Sequence, residues 1–366
     1  MQTALALFAI AGLMLVAAGC CPADGSKKKN NYNSGAGQEM LVVAPLTWKD
    51  PAGESLSVSP FAIRRKIHEN PNLDLRPLWQ QLNISAEMQT IWTRLRGGQP
   101  LSAPVVFDKC NGCKADLLRI DLDGRRGKEV LLNIYEPWGY SRYLVFKPVK
   151  EMKASLVHWA LLGQADHDFA RYVMPSHKVV YGRNKQWLVI RVQYGSGTGF
   201  AAYYDRWYEV GNDGVREVLT TPADGHDHMD CAELQRDAHT QFLKHRNEKG
   251  TDILEFLISV TWFDSCFDEW GEDRPILRKK RRAVYVRKPG AAEFVLDLSR
   301  SEILEKEING SFSVDSYSKE DFLRDNLKWL SAVARGRDTR LAKWLPHFLD
   351  RVENTPERSE LIRLLK

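Results

Sequence analysis

The residues with the clearest potential for chemistry lie in the segment DGHDHMDC. His226 and His228 stand two positions apart, and Cys231 follows closely. On an extended segment, side chains two positions apart point the same way, and imidazole and thiolate groups are ligands that Zn²⁺ prefers. The spacing therefore indicates a zinc site that Cys110 and Cys113 would complete. The alternative is a polar loop whose histidines are solvated.

The cysteines allow several kinds of chemistry. Cys110 and Cys113 form a C-x-x-C pair, and Cys231 and Cys266 lie far downstream. In a reducing compartment this pair indicates metal binding or redox work, but FDKCNGCKADLLRIDL has the pattern of a loop before a strand. A thioredoxin-like site needs the pair at a helix start. In an exported chain disulfides are the default. One arrangement joins Cys110 to Cys113 and Cys231 to Cys266, among three pairings that remain open.

A second metal pattern lies in DLDGRRGKEVLL. Asp121, Asp123 and Glu129 take the acidic positions of a D-x-D-G-x-x-x-x-E spacing. The stretch resembles the calcium-loop element of FG-GAP and related extracellular propeller repeats, which implies that these three carboxylates bind Ca²⁺. A propeller repeats its blade, whereas this pattern occurs once, and Arg125 stands where calcium needs another oxygen ligand. The alternative is a hairpin turn whose aspartates accept backbone N–H groups.

Aromatic residues crowd the glycine-rich stretch QYGSGTGFAAYYDRWYEV. Its glycines lead into a strand pattern, whereas a phosphate loop leads into a helix, so the stretch predicts a hairpin. Strand alternation would place some of its rings on an exposed face, where they could stack on a sugar or peptide ligand. The stacking candidates are Tyr194, Tyr203, Tyr204 and Trp207. Packing in the core is the alternative for each ring.

The N-terminus has the features of an export signal. Residues 4–18 form an unbroken apolar run followed by Gly19 and Cys20, and the run is short for a bilayer span but fits a signal-peptide h-region. The small residues before Cys20 resemble the lipobox of bacterial lipoproteins, although Ala17 replaces the more usual Leu and no Lys or Arg precedes the run. The resemblance implies a signal peptide over residues 1–19 and a lipid on Cys20 that anchors the chain to a membrane. Ordinary cleavage and secretion are the alternative.

Charge and composition restrict the class of partner. Residues 20–39 are polar, basic and rich in Gly, Ser and Asn, as is typical of a flexible tether. The net charge is only +5 over 366 residues, which argues against a nucleic-acid partner. The run RKKRR, Arg278 to Arg282, is the local exception. It leads into a strand pattern, where charges protect a sheet edge, or else it forms a patch for an anionic envelope polymer.

The body of the chain predicts an α+β fold. Residues 40–107 carry helical signals in SPFAIRRKIHEN, DLRPLWQQL and SAEMQTIWTRLR, which should pack across the following sheet. Residues 108–317 contain many segments that alternate apolar and polar residues between turn residues such as Asn212 to Gly214. Short loops between many such strands indicate an antiparallel β-meander, either a sandwich or a strongly twisted sheet.

The C-terminal residues 318–366 predict three helices. Ser318 and Asp321 form a capping-box-like start, and Gly336 stands at the position of a C-terminal cap. A second helix contains Pro346, which should kink or break it, and TPE starts the third.

No sequence motif identifies a reaction. A Gly-x-Ser-x-Gly elbow, a Walker loop, an H-E-x-x-H pattern and kinase motifs do not occur, so any catalytic residues stay unknown. The sequence therefore predicts an exported, lipid-anchored cell-envelope protein with a non-catalytic binding or structural role and no cofactor. Its expected partners are the membrane, through Cys20, and an envelope polymer or protein. The alternatives are a zinc-dependent envelope hydrolase, with Asp224 or Asp230 as base, and a periplasmic thiol–disulfide protein.

Overall fold

The computed structural model describes the chain from Ser59 onward, with gaps. The described ranges are 59–88, 105–122, 128–137, 140–150, 157–168, 176–182, 185–197, 199–211, 214–227, 234–264, 275–303, 307–308, 312, 318–336 and 339–366. The signal peptide, the tether and several predicted site residues lie outside these ranges: Cys20, Asp123, His228, Cys231 and Cys266.

Two helices and a small two-stranded sheet open the described chain. Helix α1 spans Pro60–Glu69 and α2 spans Arg76–Gln81, both within segments predicted as helical. The third predicted helix, SAEMQTIWTRLR, is wrong at its start. There, β1 (Glu87–Met88) pairs antiparallel with β2 (Val105–Val106), because a distant segment supplies strand partners that local helical spacing cannot reveal.

Four further strands form an antiparallel meander, which we call the smaller sheet. They lie in chain order: β3 (Lys114–Ile120), β4 (Glu129–Tyr135), β5 (Tyr140–Lys150) and β6 (Val157–Asp168). Every residue of β4 is buried, so both faces of this strand are covered. The sequence predicted the first three strands but not β6, whose VHWALLGQADHD contains a single β-branched residue.

Eight strands in chain order form the larger sheet. They are β7 (Ser176–Tyr181), β8 (Gln186–Gly197), β9 (Phe200–Gly211), β10 (Gly214–Asp227), β11 (Gln235–Glu248), β12 (Thr251–Phe263), β13 (Leu277–Arg287) and β14 (Val295–Leu296). Strands β10 and β11 pair only over Asp224–Asp227. Elsewhere the Phe294 N–H donates to the Val218 carbonyl at 2.8 Å. The sheet is therefore strongly bent, with the segment after β13 returning to β10.

Three apolar clusters connect the sheets and helices. The first joins α1 and α2 to one face of the smaller sheet through residues such as Leu132 and Leu144. The second joins the opposite face, through Leu131 and Val145, to β8 and β9. The third joins the larger sheet to the C-terminal helices. Period-two alternation along each strand produces this separation into two buried faces. The predicted α+β class with an antiparallel meander is confirmed.

The two sheets come into close contact at Gly214, the first residue of β10; Asn212 and Asp213 of the predicted turn lie outside the described residues. Gly214 has φ +118°, and a Cβ there would lie 2.9 Å from the carbonyl oxygen of Leu162. Across the contact, a Cβ on Gly163 of β6 would lie 2.8 Å from the backbone nitrogen of Val215. Glycine is therefore required at position 214 for its conformational freedom, and at position 163 because a Cβ has no space there.

Four helices, not three, form the described C-terminal segment. They are α3 (Lys319–Asp325), α4 (Leu327–Arg335), α5 (Thr339–Asp350) and α6 (Pro356–Leu365). The predicted capping box of Ser318 and Asp321 is present, but the first predicted helix divides at Asn326. Pro346 does not end α5, because Trp344, Leu345 and Phe348 bury that helix against the core. Among the described residues, no helix has the length and apolar character needed to cross a membrane.

Candidate binding surface

The C-x-x-C pair forms a disulfide between Cys110 and Cys113. Both residues are buried, at 1 % and 3 % exposure. Their N–H groups donate to the carbonyls of Leu73 and Pro71, at 3.0 and 2.8 Å, and Gly112 turns the loop with φ +71°. The bridge therefore lies in the apolar cluster between the helices and the smaller sheet. In this state neither sulfur can bind zinc or reach a thiol substrate. The other predicted bridge, between Cys231 and Cys266, lies outside the described residues.

The predicted calcium loop is described only in part. Asp121 is half-buried, and Asp123 lies outside the described residues. Glu129 is fully buried and accepts the Leu122 N–H at 2.8 Å, while the Lys147 ammonium lies 3.5 Å from its carboxylate. Glu129 therefore binds the backbone at the end of β3, whereas the alternative interpretation had given backbone binding to Asp121 and Asp123.

The predicted zinc ligands are not brought together in the described chain. His226 is exposed on β10 and pairs across the sheet with Asp237. His228 and Cys231 lie outside the described residues, and Cys110 and Cys113 are joined to each other. Within the described ranges, no group of three or more His, Cys, Asp or Glu residues is arranged to hold a metal ion.

Most of the described stacking candidates belong to the core. The Trp207 ring lies 5.4 Å from both Phe242 and Phe256, and its indole N–H donates to the Thr221 hydroxyl at 3.2 Å. Tyr204 is buried between the two sheets. Trp207 is thus corrected to a core residue, because its ring has no exposed face. Tyr203 remains half-buried, and the side chain of Tyr194 is not among those described.

A row of charged residues crosses five strands of the larger sheet. We call it the charge row: Lys178 on β7, Arg191 on β8, Asp205 on β9, Asp224 on β10 and His239 on β11. Arg191 binds Asp205 through two hydrogen bonds of 2.8 and 3.1 Å, and Lys178 binds the same carboxylate at 3.0 Å. Asp224 accepts from Arg191 and contacts the His239 imidazole. The cross-strand pairs Arg191–Asp205 and Asp224–His239 place these side chains.

The charges of the row stabilise each other's ionised forms. Burial alone would raise the pKa of Asp205, but hydrogen bonds from Arg191 and Lys178 hold that pKa below its usual range. Burial alone would lower the pKa of Arg191, but the hydrogen bonds and the charge of Asp205 raise that pKa above its usual value. Tyr203 lies beside the row, where burial and the charge of Asp224 raise its pKa. Asp205 and Arg191 therefore both remain ionised at neutral pH.

The row offers fixed charges at a surface. Its ends reach solvent, since the side chains of Lys178 and His239 are 51 % and 60 % exposed, while Asp205 in the middle is 7 % exposed. Both carboxylates already bind cations of the row, which suits recognition of a polar ligand better than proton abstraction. Sequence reasoning had named Asp224 and Tyr203 here and had missed the rest. The available signal was Arg191 as the single charge in the apolar run LVIRVQY, together with Asp205 near the middle of the aromatic stretch AAYYDRWYEV, which also contains Arg206 and Glu209.

A second cluster lies at the bend of the larger sheet. We call it the closed cluster: Lys185, Glu209, His245, Asp252 and Arg287. Arg287 donates to Glu209 at 2.9 Å and to Asp252 at 3.1 Å, Lys185 donates to Asp252, and His245 lies 3.3 Å from Asp252. Burial alone would raise the pKa values of Asp252 and Glu209, but their hydrogen bonds to the cations lower both.

Aromatic rings seal the closed cluster. The Trp187 ring lies 5.0 Å from the His245 ring, and its indole N–H donates to Glu209 at 3.2 Å. The Arg287 guanidinium lies 4.6 Å from the centre of the Phe294 ring. Water has little access to His245, Asp252 and Arg287, whereas Lys185 is 39 % exposed. The buried members therefore fix the bend of the sheet, and the charge row is the better binding candidate. In comparisons with known proteins, no family model, no curated protein and no solved structure matches this chain.

Proposed function

We propose that this chain is an exported, lipid-anchored cell-envelope protein with a non-catalytic binding or structural role. The observation that carries the proposal is the Cys110–Cys113 disulfide, which is buried between α1, α2 and the smaller sheet. Disulfides persist in oxidising compartments and are rare where thiols are kept reduced. A buried bridge in the core is expected of a chain that matures outside the cytoplasm.

The proposed anchor is a lipid on Cys20. The apolar run, the small residues before Cys20 and the polar tether of residues 20–39 support this attachment. A single lipid chain gives only reversible membrane binding, so stable anchoring takes two acyl chains or a second attraction.

The proposed binding role rests on the charge row. Its cations and carboxylates are held in place by one another, and its exposed ends are a lysine and a histidine. A preorganised surface of this kind favours a ligand that carries charges of both signs, such as a peptide or a charged envelope polymer. Zinc-dependent hydrolysis and thiol–disulfide exchange remain alternative predictions, but no feature of the described residues favours either.

The anchor is tested by mass spectrometry of the full chain purified from bacterial membranes. We expect the mature N-terminus at Cys20, with the added mass of a diacylglyceryl group. Cys20→Ala should abolish the modification and move the chain out of the detergent-extracted fraction, whereas Cys21→Ala is the matched control and should leave both unchanged. An unmodified chain that keeps residues 1–19, or a Cys110–Cys113 pair found as free thiols, would overturn the proposal.

A further inference from the structure

The basic run RKKRR lies inside strand β13, where alternation divides its charges between two faces. Lys279 and Arg281 are half-buried and line a pocket with Trp262 below the C-terminal helices. Arg278, Lys280 and Arg282 are exposed on the other face. Successive residues on one face of a strand lie about 7 Å apart, so three cations form a straight, evenly spaced line.

These three cations differ from most others in the described sheet. The cations of the charge row and the closed cluster each have a carboxylate partner. In contrast, Arg278, Lys280 and Arg282 form no ion pair with another described residue. Arg278 donates to the Thr261 hydroxyl at 3.3 Å, and the Glu302 carboxylate accepts the backbone N–H of Arg282 at 3.0 Å. With one carboxylate against three cations, this line is positive.

Two exposed apolar side chains lie on the segment that pairs with the end of β13 beyond Arg282. Val295 and Leu298 are 63 % and 58 % exposed. Strand β14 pairs with the end of β13, and the Asp297 N–H donates to the Val284 carbonyl at 2.8 Å. The edge formed by Arg278, Lys280, Arg282, Val295 and Leu298 thus combines cations with apolar side chains. We call it the β13 edge.

We propose that the β13 edge docks on an anionic lipid membrane. This inference rests on the proposed function, because a lipid on Cys20 would hold the chain close to the bilayer. The cations are attracted by anionic headgroups, and Val295 and Leu298 enter the boundary between headgroups and acyl chains. A soluble anionic polymer would satisfy the cations but would give the two apolar side chains no partner.

The test uses the full chain mixed with phosphatidylcholine vesicles, with or without added phosphatidylglycerol. A lysine-acylating reagent followed by mass spectrometry measures the modification rate at Lys280. We expect slower modification on the phosphatidylglycerol vesicles and an unchanged rate at Lys114, an exposed lysine of β3 that serves as internal control. Equal Lys280 rates on both vesicles would overturn the docking. Failure of the chain to bind phosphatidylcholine vesicles would count only against the lipid anchor.

Variants separate the contributions of charge and of apolar contact. Arg278→Gln with Arg282→Gln should reduce the protection of Lys280 about 30-fold, the effect of removing two cations from an anionic surface. Arg65→Gln with Arg76→Gln removes the same charge from α1 and α2 and should leave the protection unchanged. If the two double substitutions had equal effects, binding would depend on the net charge of the chain and not on the position of the cations on the β13 edge.

The apolar side chains distinguish a lipid surface from a soluble polyanion. Val295→Ser with Leu298→Ser should weaken protection by vesicles but not protection by polyphosphate. If protection by vesicles survives this change, the ligand is an anionic polymer and the lipid proposal fails.

Discussion

The charge row and the closed cluster contain similar groups in different surroundings. Each has two carboxylates, two permanent cations and one histidine. In the closed cluster the side chains of Asp252 and Arg287 are each 6 % exposed, Phe294 covers the Arg287 guanidinium, and Lys185 alone is more than one-third exposed. In the charge row only Asp205 is comparably buried, and both ends reach solvent.

The two clusters contain the same numbers of charged groups but differ in exposure, so the number of ion-pair partners does not decide whether a cluster is structural or available for binding. A buried ion cluster contributes little net stability compared with an apolar core, but removing one partner leaves an uncompensated charge without water. At the surface, water replaces a lost partner and the cost is small. The closed cluster therefore behaves as a structural element of the bend, while the charge row presents a lysine and a histidine to solvent.

The largest effect is expected from Asp252→Asn. This change removes one of the two carboxylates that hold Arg287, whose side chain is only 6 % exposed, so the free energy of unfolding should fall by about 3 kcal/mol. Urea unfolding followed by tryptophan fluorescence measures it. Asp350→Asn, an exposed acid on α5, is the matched control and should change stability by less than about 0.5 kcal/mol. A loss below about 1 kcal/mol for Asp252→Asn would show that the closed cluster is solvated.

Acid should weaken the closed cluster more than the charge row. The pKa values of Asp252 and Glu209 lie below their ordinary values of 3.8 and 4.5, and in the row the pKa of Asp205 is also lowered. A carboxyl with a depressed folded-state pKa stabilises the fold above its ordinary pKa, and this contribution is lost as pH falls through the folded-state value. The unfolding free energy should therefore decline from about pH 4.5 downward. Asp252→Asn should flatten this decline more than Asp205→Asn, and the reverse order would contradict the comparison.

Asp205→Asn should have an intermediate effect. The carboxylate accepts three hydrogen bonds from Arg191 and Lys178, and hydrogen bonds to charged groups contribute more than neutral ones. Because Arg191 is 28 % exposed, against 6 % for Arg287, we expect a loss of about 2 kcal/mol in urea unfolding, less than for Asp252→Asn. If the Asp205→Asn loss were the larger, the row would be the more enclosed of the two regions.

The sequence predicted those elements whose signal is local. Strands β8 and β12 have long alternating or apolar runs, and the capping box at Ser318 is a four-residue pattern. Local signals failed where distant segments decide the structure. Glu87 and Met88 are strand residues because Val105 and Val106 pair with them, and α5 continues through Pro346 because its flanking residues are buried.

The candidate site was harder to predict because its residues come from five strands. Arg191 meets Asp205 and Asp224 meets His239 only in the register that the finished sheet adopts. The spacing of residues along the chain does not reveal that register. The β-bulges between Gln193 and Gly195 and between Pro222 and Asp224 shift the register further. Motif spacing instead drew attention to His226 and Glu129, of which one is exposed and the other serves a turn.

The smallest effect is expected from His239→Gln, which tests whether the row is open at this end. The imidazole is 60 % exposed and contacts Asp224, which is itself one-third exposed and also holds Arg191. Water should replace the lost contact, so the free energy of unfolding should change by less than about 0.5 kcal/mol. Urea unfolding of His239→Gln and of Asp205→Asn under the same conditions compares the two losses in unfolding free energy. A loss above about 1.5 kcal/mol would mean that His239 is a structural partner of Asp224. The charge row would then be a poor candidate for the binding surface, because a ligand would have to displace a group on which the fold depends.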